Sequence, residues 1–240
     1  MVAEGRVRSE WRTLETDNGD MRAYVAATTS SPRGAIVVLQ EAFGVNAHVQ
    51  SIANRFAASG YLAMAPDLFH RQDAGVVDYQ DRDRAMTLIG ELGPEEIAAD
   101  VGAAVASLRD GEPALSRAVV GFCFGGRAAF TSACTVEGLE AAVMFYGPGV
   151  ASGPHAVLDR AEGIASRMLL IYGAEDPTIS AVDREAIEEA LQAEGIEHST
   201  QIYEDAGHAF FCDARPELFR AGPSLDAWER MSDFLAASCA

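Results

Sequence analysis

Six residues, Gly121-Phe122-Cys123-Phe124-Gly125-Gly126, constrain this chain more than any other segment. They follow the apolar run Ala118-Val119-Val120-Gly121-Phe122, which reads as a buried strand, and they open a helical pattern from Gly125 to Thr135. A strand that bends straight into a helix brings the two backbones so close that side chains two positions either side of the bend would collide. Glycines there relieve the collision and leave one residue raised above the sheet edge. The spacing is that of the G-x-S-x-G nucleophile elbow with cysteine in the serine's place. A helix N-terminus beneath that sulfur favours the thiolate, the reactive form. Two plainer readings compete. Cys123 could be a small buried hydrophobe between two phenylalanines. The glycines could instead cradle a phosphate, but Cys123 stands where a second glycine would be needed, and no G-K-[ST] follows.

A strand–turn–helix unit of this kind belongs in a parallel sheet, and the remaining pattern agrees. Residues 9–15 and 20–26 read as two strands joined at Asn18-Gly19, a hairpin signal. Strands at 35–39, 61–65, 118–122, 141–146, 168–172 and 200–203 then alternate with helical patterns at 47–59, 81–92, 94–110, 125–135, 183–194 and 223–237. Alternation over this length predicts an α/β architecture: a mostly parallel sheet with helices on both faces and an N-terminal antiparallel hairpin. With no repeat or linker in sight, residues 1–240 are expected to form a single domain.

Charge narrows the partners. With 18 basic residues, all arginine, against 36 acidic ones, the net charge is −18, and such a surface repels nucleic acid and anionic membrane. The four cysteines at 123, 134, 212 and 239 form no C-x-x-C pair, which points to free thiols in a reducing compartment. The first fifteen residues carry charges throughout and no apolar stretch, so a cytoplasmic location is expected.

A nucleophile on such an elbow needs an acid and then a histidine, each on a loop after a later strand. Strand 168–172 runs into Gly173-Ala174-Glu175-Asp176-Pro177, and strand 200–203 into Glu204-Asp205-Ala206-Gly207-His208. Cys123, Asp176 and His208 therefore stand in the required order at the carboxyl edge of the sheet, where ligands of such folds bind. Asp176 could simply form a turn before Pro177, and His208 could be an exposed loop histidine. Neither the five histidines nor the cysteines show a metal-ligand spacing, so no metal and no cofactor are expected.

Four segments together resemble the dienelactone hydrolase family, the carboxymethylenebutenolidases: residues 38–46 (Val-Leu-Gln-Glu-Ala-Phe-Gly-Val-Asn), 65–69 (Ala-Pro-Asp-Leu-Phe), the elbow at 121–126, and 205–210 (Asp-Ala-Gly-His-Ala-Phe). The resemblance implies an α/β-hydrolase fold with the triad Cys123, His208 and Asp176. It implies acyl transfer through a cysteine-bound intermediate, with the oxyanion held by the backbone N–H groups of Phe124 and Ala42. It also gives Glu41 a role, contacting the resting thiol and moving when substrate enters, which protects the sulfur from oxidation. Read from the residues alone, Glu41 would be an exposed loop acid.

The family's substrate carries a carboxylate held by two arginines. Here the position four residues after the histidine is Cys212, not arginine; Arg84 is expected to supply one contact, and Arg215 lies close in sequence to the other. Phe43, Tyr146 and Phe210 are expected to line an apolar pocket. The implied partner is a small-molecule ester or lactone, taken by a monomer or small homo-oligomer. A broader carboxylesterase, thioesterase or small peptidase on the same scaffold, and a non-catalytic binding protein, remain the alternatives.

Overall fold

A computed structural model describes residues 6–239. Its elements are β1 (Arg8–Thr16), β2 (Gly19–Ala27), β3 (Ala35–Leu39), α1 (Ala47–Ala58), β4 (Leu62–Pro66), α2 (Arg82–Gly90), α3 (Pro94–Gly111), β5 (Arg117–Phe122), α4 (Phe124–Thr135), β6 (Ala141–Phe145), β7 (Arg167–Gly173), α5 (Ala181–Ala193), β8 (His198–Tyr203) and α6 (Ala221–Ser238). One sheet carries all eight strands in the order β1-β2-β4-β3-β5-β6-β7-β8. The expected hairpin is present: β1 pairs antiparallel with β2, and β2 antiparallel with β4, while every later pairing is parallel.

The order explains where the site must be. From β3 the chain moves to β4, then crosses back to β5 and proceeds the other way to β8. Right-handed crossovers place helices on opposite faces when the direction reverses. So α1 lies on one face, joined by α6 through Phe56 and Trp228, whose ring centroids are 5.0 Å apart. The other face carries α3 and α4, which pack together. Strands sandwiched in this way must be apolar on both sides. Accordingly β3, β5 and β6 are buried at every residue. The connections after the adjacent strands β3 and β5 lead to α1 and α4 on opposite faces, opening a crevice at the carboxyl ends where the topology switches. Among the described residues, no helix is long and apolar enough to cross a membrane.

Candidate active site

The elbow sits in that crevice. Cys123 adopts φ 56 and ψ −120, a positive-φ conformation that L-residues avoid. Two glycines make this bend possible. A Cβ on Gly121 would lie 1.8 Å from the Gly125 carbonyl oxygen, and one on Gly125 would lie 2.4 Å from that of Leu39. Phe124 is the first residue of α4, so its N–H precedes any intrahelical acceptor and stays free for another oxygen. Phe124 and Ala42, the two residues expected to hold an oxyanion, line the same cavity as Cys123.

The structure brings the three sequence-predicted residues together. His208 Nε2 is 3.0 Å from Cys123 Sγ, and His208 Nδ1 is 2.7 Å from Asp176 Oδ2. Gly173, closing β7, lets the 204–208 loop pass: a Cβ there would lie 2.2 Å from the Ala206 carbonyl oxygen. Asp176 does form a turn, as its position before Pro177 suggests, but with only one oxygen. Its Oδ1 accepts from the Thr178 backbone N–H at 2.8 Å and from Thr178 Oγ1 at 2.6 Å, leaving Oδ2 for the histidine. Thr178 thereby fixes the Asp176 carboxylate, a contact signalled in the sequence only by the Asp-Pro-Thr turn. Glu175, the neighbouring acid, is exposed.

Electrostatics follow the geometry. Burial works against a charged imidazole, but the negative charge at Cys123 and the hydrogen bonds to Asp176 and Cys123 outweigh it, pushing the His208 pKa from 6.5 up to about 10. Burial likewise works against an ionised Asp176, yet the hydrogen bond and charge of His208, helped by Thr178, hold its pKa below 3.8. Both shifts stabilise the fold within a definite range. The histidine's contribution is complete below its unfolded pKa near 6.5 and is lost as pH rises through about 10. That of the aspartate is complete above 3.8 and is lost as pH falls through its lower folded value. Wild-type protein is expected to lose thermal stability between about pH 6.5 and 10 more steeply than His208→Gln. Parallel melting curves for the two proteins across that range would contradict the assignment.

The substrate-contact expectations need correction. A cavity of about 460 Å³ opens over Cys123 and His208. Its wall on α2 is Arg82, Ala85, Met86 and Ile89, and Arg84 is exposed elsewhere. Residues at i, i+3, i+4 and i+7 share a helix face, so Arg82 looks inward with Ala85 while Arg84 is turned away. Phe43 does line the cavity. Tyr146 and Phe210 do not: both are fully buried. Their rings meet edge-on or tilted in a chain, with Tyr146 5.3 Å from His208 and 5.5 Å from Phe210, and Phe210 5.3 Å from Tyr203. They support the histidine loop from beneath.

Arg215 reaches the site although Cys212 holds the position expected of an arginine. Its Nη2 lies 3.0 Å from both Glu41 oxygens, its Nε approaches Cys212 Sγ at 3.5 Å, and it lines the cavity. Glu41 is wholly buried, not an exposed loop acid. The expected contact between Glu41 and the resting thiol is also replaced: the carboxylate bonds Arg215, and the sulfur bonds His208. A guanidinium is a far stronger partner for a buried carboxylate than a neutral thiol. Burial and the Glu41 charge push the Cys212 thiol up to about 11, so it stays protonated.

Glu41, His48 and Cys212 place one potential ligand atom each within 4.8 Å of one another. The Arg215 guanidinium already occupies Glu41 and approaches Cys212, putting a positive charge where a cation would have to enter. The arrangement is that of a buried polar network around an ion pair.

Residues 21–239 match the model of the dienelactone hydrolase family. The chain belongs to that family. A Yersinia pestis protein named "Putative carboxymethylenebutenolidase" is 33% identical over 230 residues, covering 92% of this chain and 85% of the relative. Its Escherichia coli K12 namesake is 31% identical, covering 92% and 84%. Among solved structures, a Klebsiella pneumoniae protein described as a "Putative Dienelactone Hydrolase" superposes with a TM-score of 0.88 at 30% identity, covering 96% of this chain and 99% of that one. As a dienelactone hydrolase family member, the chain is an α/β-hydrolase-fold protein.

Proposed function

We propose that this family member hydrolyses a carboxylic ester or lactone through an acyl-cysteine intermediate. The observation that carries the reading is the unbroken hydrogen-bonded chain Cys123–His208–Asp176, with the sulfur facing a cavity wide enough for a small ester. The sulfur attacks the carbonyl carbon, and the oxyanion meets the N–H groups of Phe124 and Ala42. Donors of this kind are worth roughly 3–4 kcal/mol when tested by removal. On collapse the C–O bond breaks, and the His208 imidazolium gives its proton to the departing alkoxide. Water then attacks the thioester carbonyl, losing a proton to His208, and expulsion of the sulfur frees the acid. Asp176 keeps the ring oriented throughout.

The cavity favours an anionic substrate. Among the described residues it is lined by Arg82, Arg127 and Arg215 and by no carboxylate, in a chain whose net charge is −18. The family name of the Yersinia and Escherichia relatives, a butenolide bearing a carboxymethylene group, fits that lining. The four free thiols fit a reducing, cytoplasmic setting.

Stopped-flow mixing with a p-nitrophenyl ester followed by acid quench is expected to leave one acyl group on the protein, located at Cys123 by peptide mass spectrometry. Recovery of the acyl group at another residue, or turnover with no adduct at any quench time, would overturn the acyl-cysteine route.

A further inference from the structure

The three cavity arginines do not carry the same usable charge. Arg215 is neutralised by Glu41. Arg82, at the exposed first turn of α2, is open to water and screened. Arg127 differs from both. Among the described residues it has no carboxylate partner, its Nε is buried without a hydrogen-bond partner, and its Nη2 finds only the Ile89 and Leu92 carbonyls, each at 3.4 Å. Those contacts lie beyond the usual N–H···O range of about 2.7–3.2 Å.

Its placement follows from the elbow. Arg127 is the fourth residue of α4, and helical side chains lean toward the helix N-terminus, here toward Cys123 and the free Phe124 N–H. The guanidinium lies over the Phe124 ring, 5.3 Å from its centroid. Enclosing a cation without a counter-ion is costly unless something anionic arrives. Burial depresses the Arg127 pKa, and the charge at Cys123 is the one influence opposing it.

We propose that Arg127 is the specificity-determining anion site of this cavity, pairing the cavity-facing edge of its guanidinium with a carboxylate on the substrate. The proposal rests on the ester or lactone reading above, and it identifies which side chain selects the charged substrate. The competing role is structural: Arg127 could serve only to tie the end of α2 to α4 through the two long carbonyl contacts. A structural tie would not distinguish a charged ligand from a neutral one of the same shape.

The test uses Cys123→Ala protein, which cannot acylate, so its result does not depend on the nucleophile assignment. Binding of an unsaturated five-membered lactone bearing a carboxylate is compared by calorimetry with its primary carboxamide. Because a hydrogen bond to a charged group is stronger than one between neutral groups, the acid is expected to bind at least about tenfold more tightly than the amide. Adding Arg127→Met should bring that ratio to within about twofold, while Arg84→Ala, on the exposed side of α2, should leave it unchanged. Arg127→Lys, which keeps the charge but loses the fork, should give an intermediate ratio and decides the matter if the methionine variant does not fold. A ratio untouched by either Arg127 substitution, or no preference for the acid in the Cys123→Ala parent, would overturn the proposal. A failure to trap acyl-Cys123 in the wild type would instead sink the mechanism and leave this binding result standing.

Discussion

Replacing Cys123 with alanine is expected to reduce ester hydrolysis by about four to six orders of magnitude in kcat, the range seen when a member of a catalytic triad is removed. The fold should survive. Cys123 is only partly buried, and alanine removes a single sulfur from the edge of the cavity rather than from the packed interior. The positive φ of 56 is the one backbone cost that alanine inherits from cysteine, so stability should change little. Cys134→Ala supplies the comparison: its thiol lies at the far end of α4, is pushed up to about 12 by burial, and contacts nothing in the cavity. Steady-state turnover of a p-nitrophenyl ester by the two variants, each with a melting curve, checks the claim. A Cys123→Ala protein that keeps more than about a thousandth of wild-type activity would require a different nucleophile.

Much of this was legible because the constraints are local. A cysteine between glycines after an apolar strand dictates the bend whatever surrounds it, and the triad order follows from where later strands end. The sheet was equally readable, since runs such as Val119-Val120 and Met168-Leu169-Leu170 can only be buried strands. What escaped depends on side-chain direction. Arg82 and Arg84 are indistinguishable by composition; only the phase set by Ala85 and Ile89 separates them, and that phase was available in the sequence. Tyr146 and Phe210 could not be placed this way. Both sit where the chain leaves regular structure: Tyr146 has φ 36, and Ala209, just before Phe210, has φ 60, which turns these rings downward into the core. Arg215 escaped for a third reason. It reaches Glu41 across a sequence separation of 174 residues, a pairing no local pattern encodes.

That pairing makes Arg215→Met the substitution with the largest expected effect on stability. Glu41 is buried and its charge is answered by Arg215, whose own side chain is only 10% exposed. Removing one partner of such a pair leaves a buried carboxylate uncompensated and typically costs about 3–5 kcal/mol, whereas replacing both with neutral groups is far milder. Arg215→Met should therefore destabilise strongly, and Glu41→Gln/Arg215→Met should recover most of the loss. Chemical denaturation of wild type, both single variants and the double variant gives the coupling directly. Activity should move with it for an electrostatic reason. Arg215 neutralises a carboxylate in the crevice that also holds Cys123; stripped of that partner, Glu41 adds a negative charge against the thiolate proposed to form there. In the refolded single variant, alkylation of Cys123 by iodoacetamide at neutral pH should slow, and the double variant should restore it. If the single and double variants are equally unstable and react at the same rate, the Glu41–Arg215 pair has no bearing on either fold or sulfur. The thiol would then depend on His208 and the α4 terminus alone.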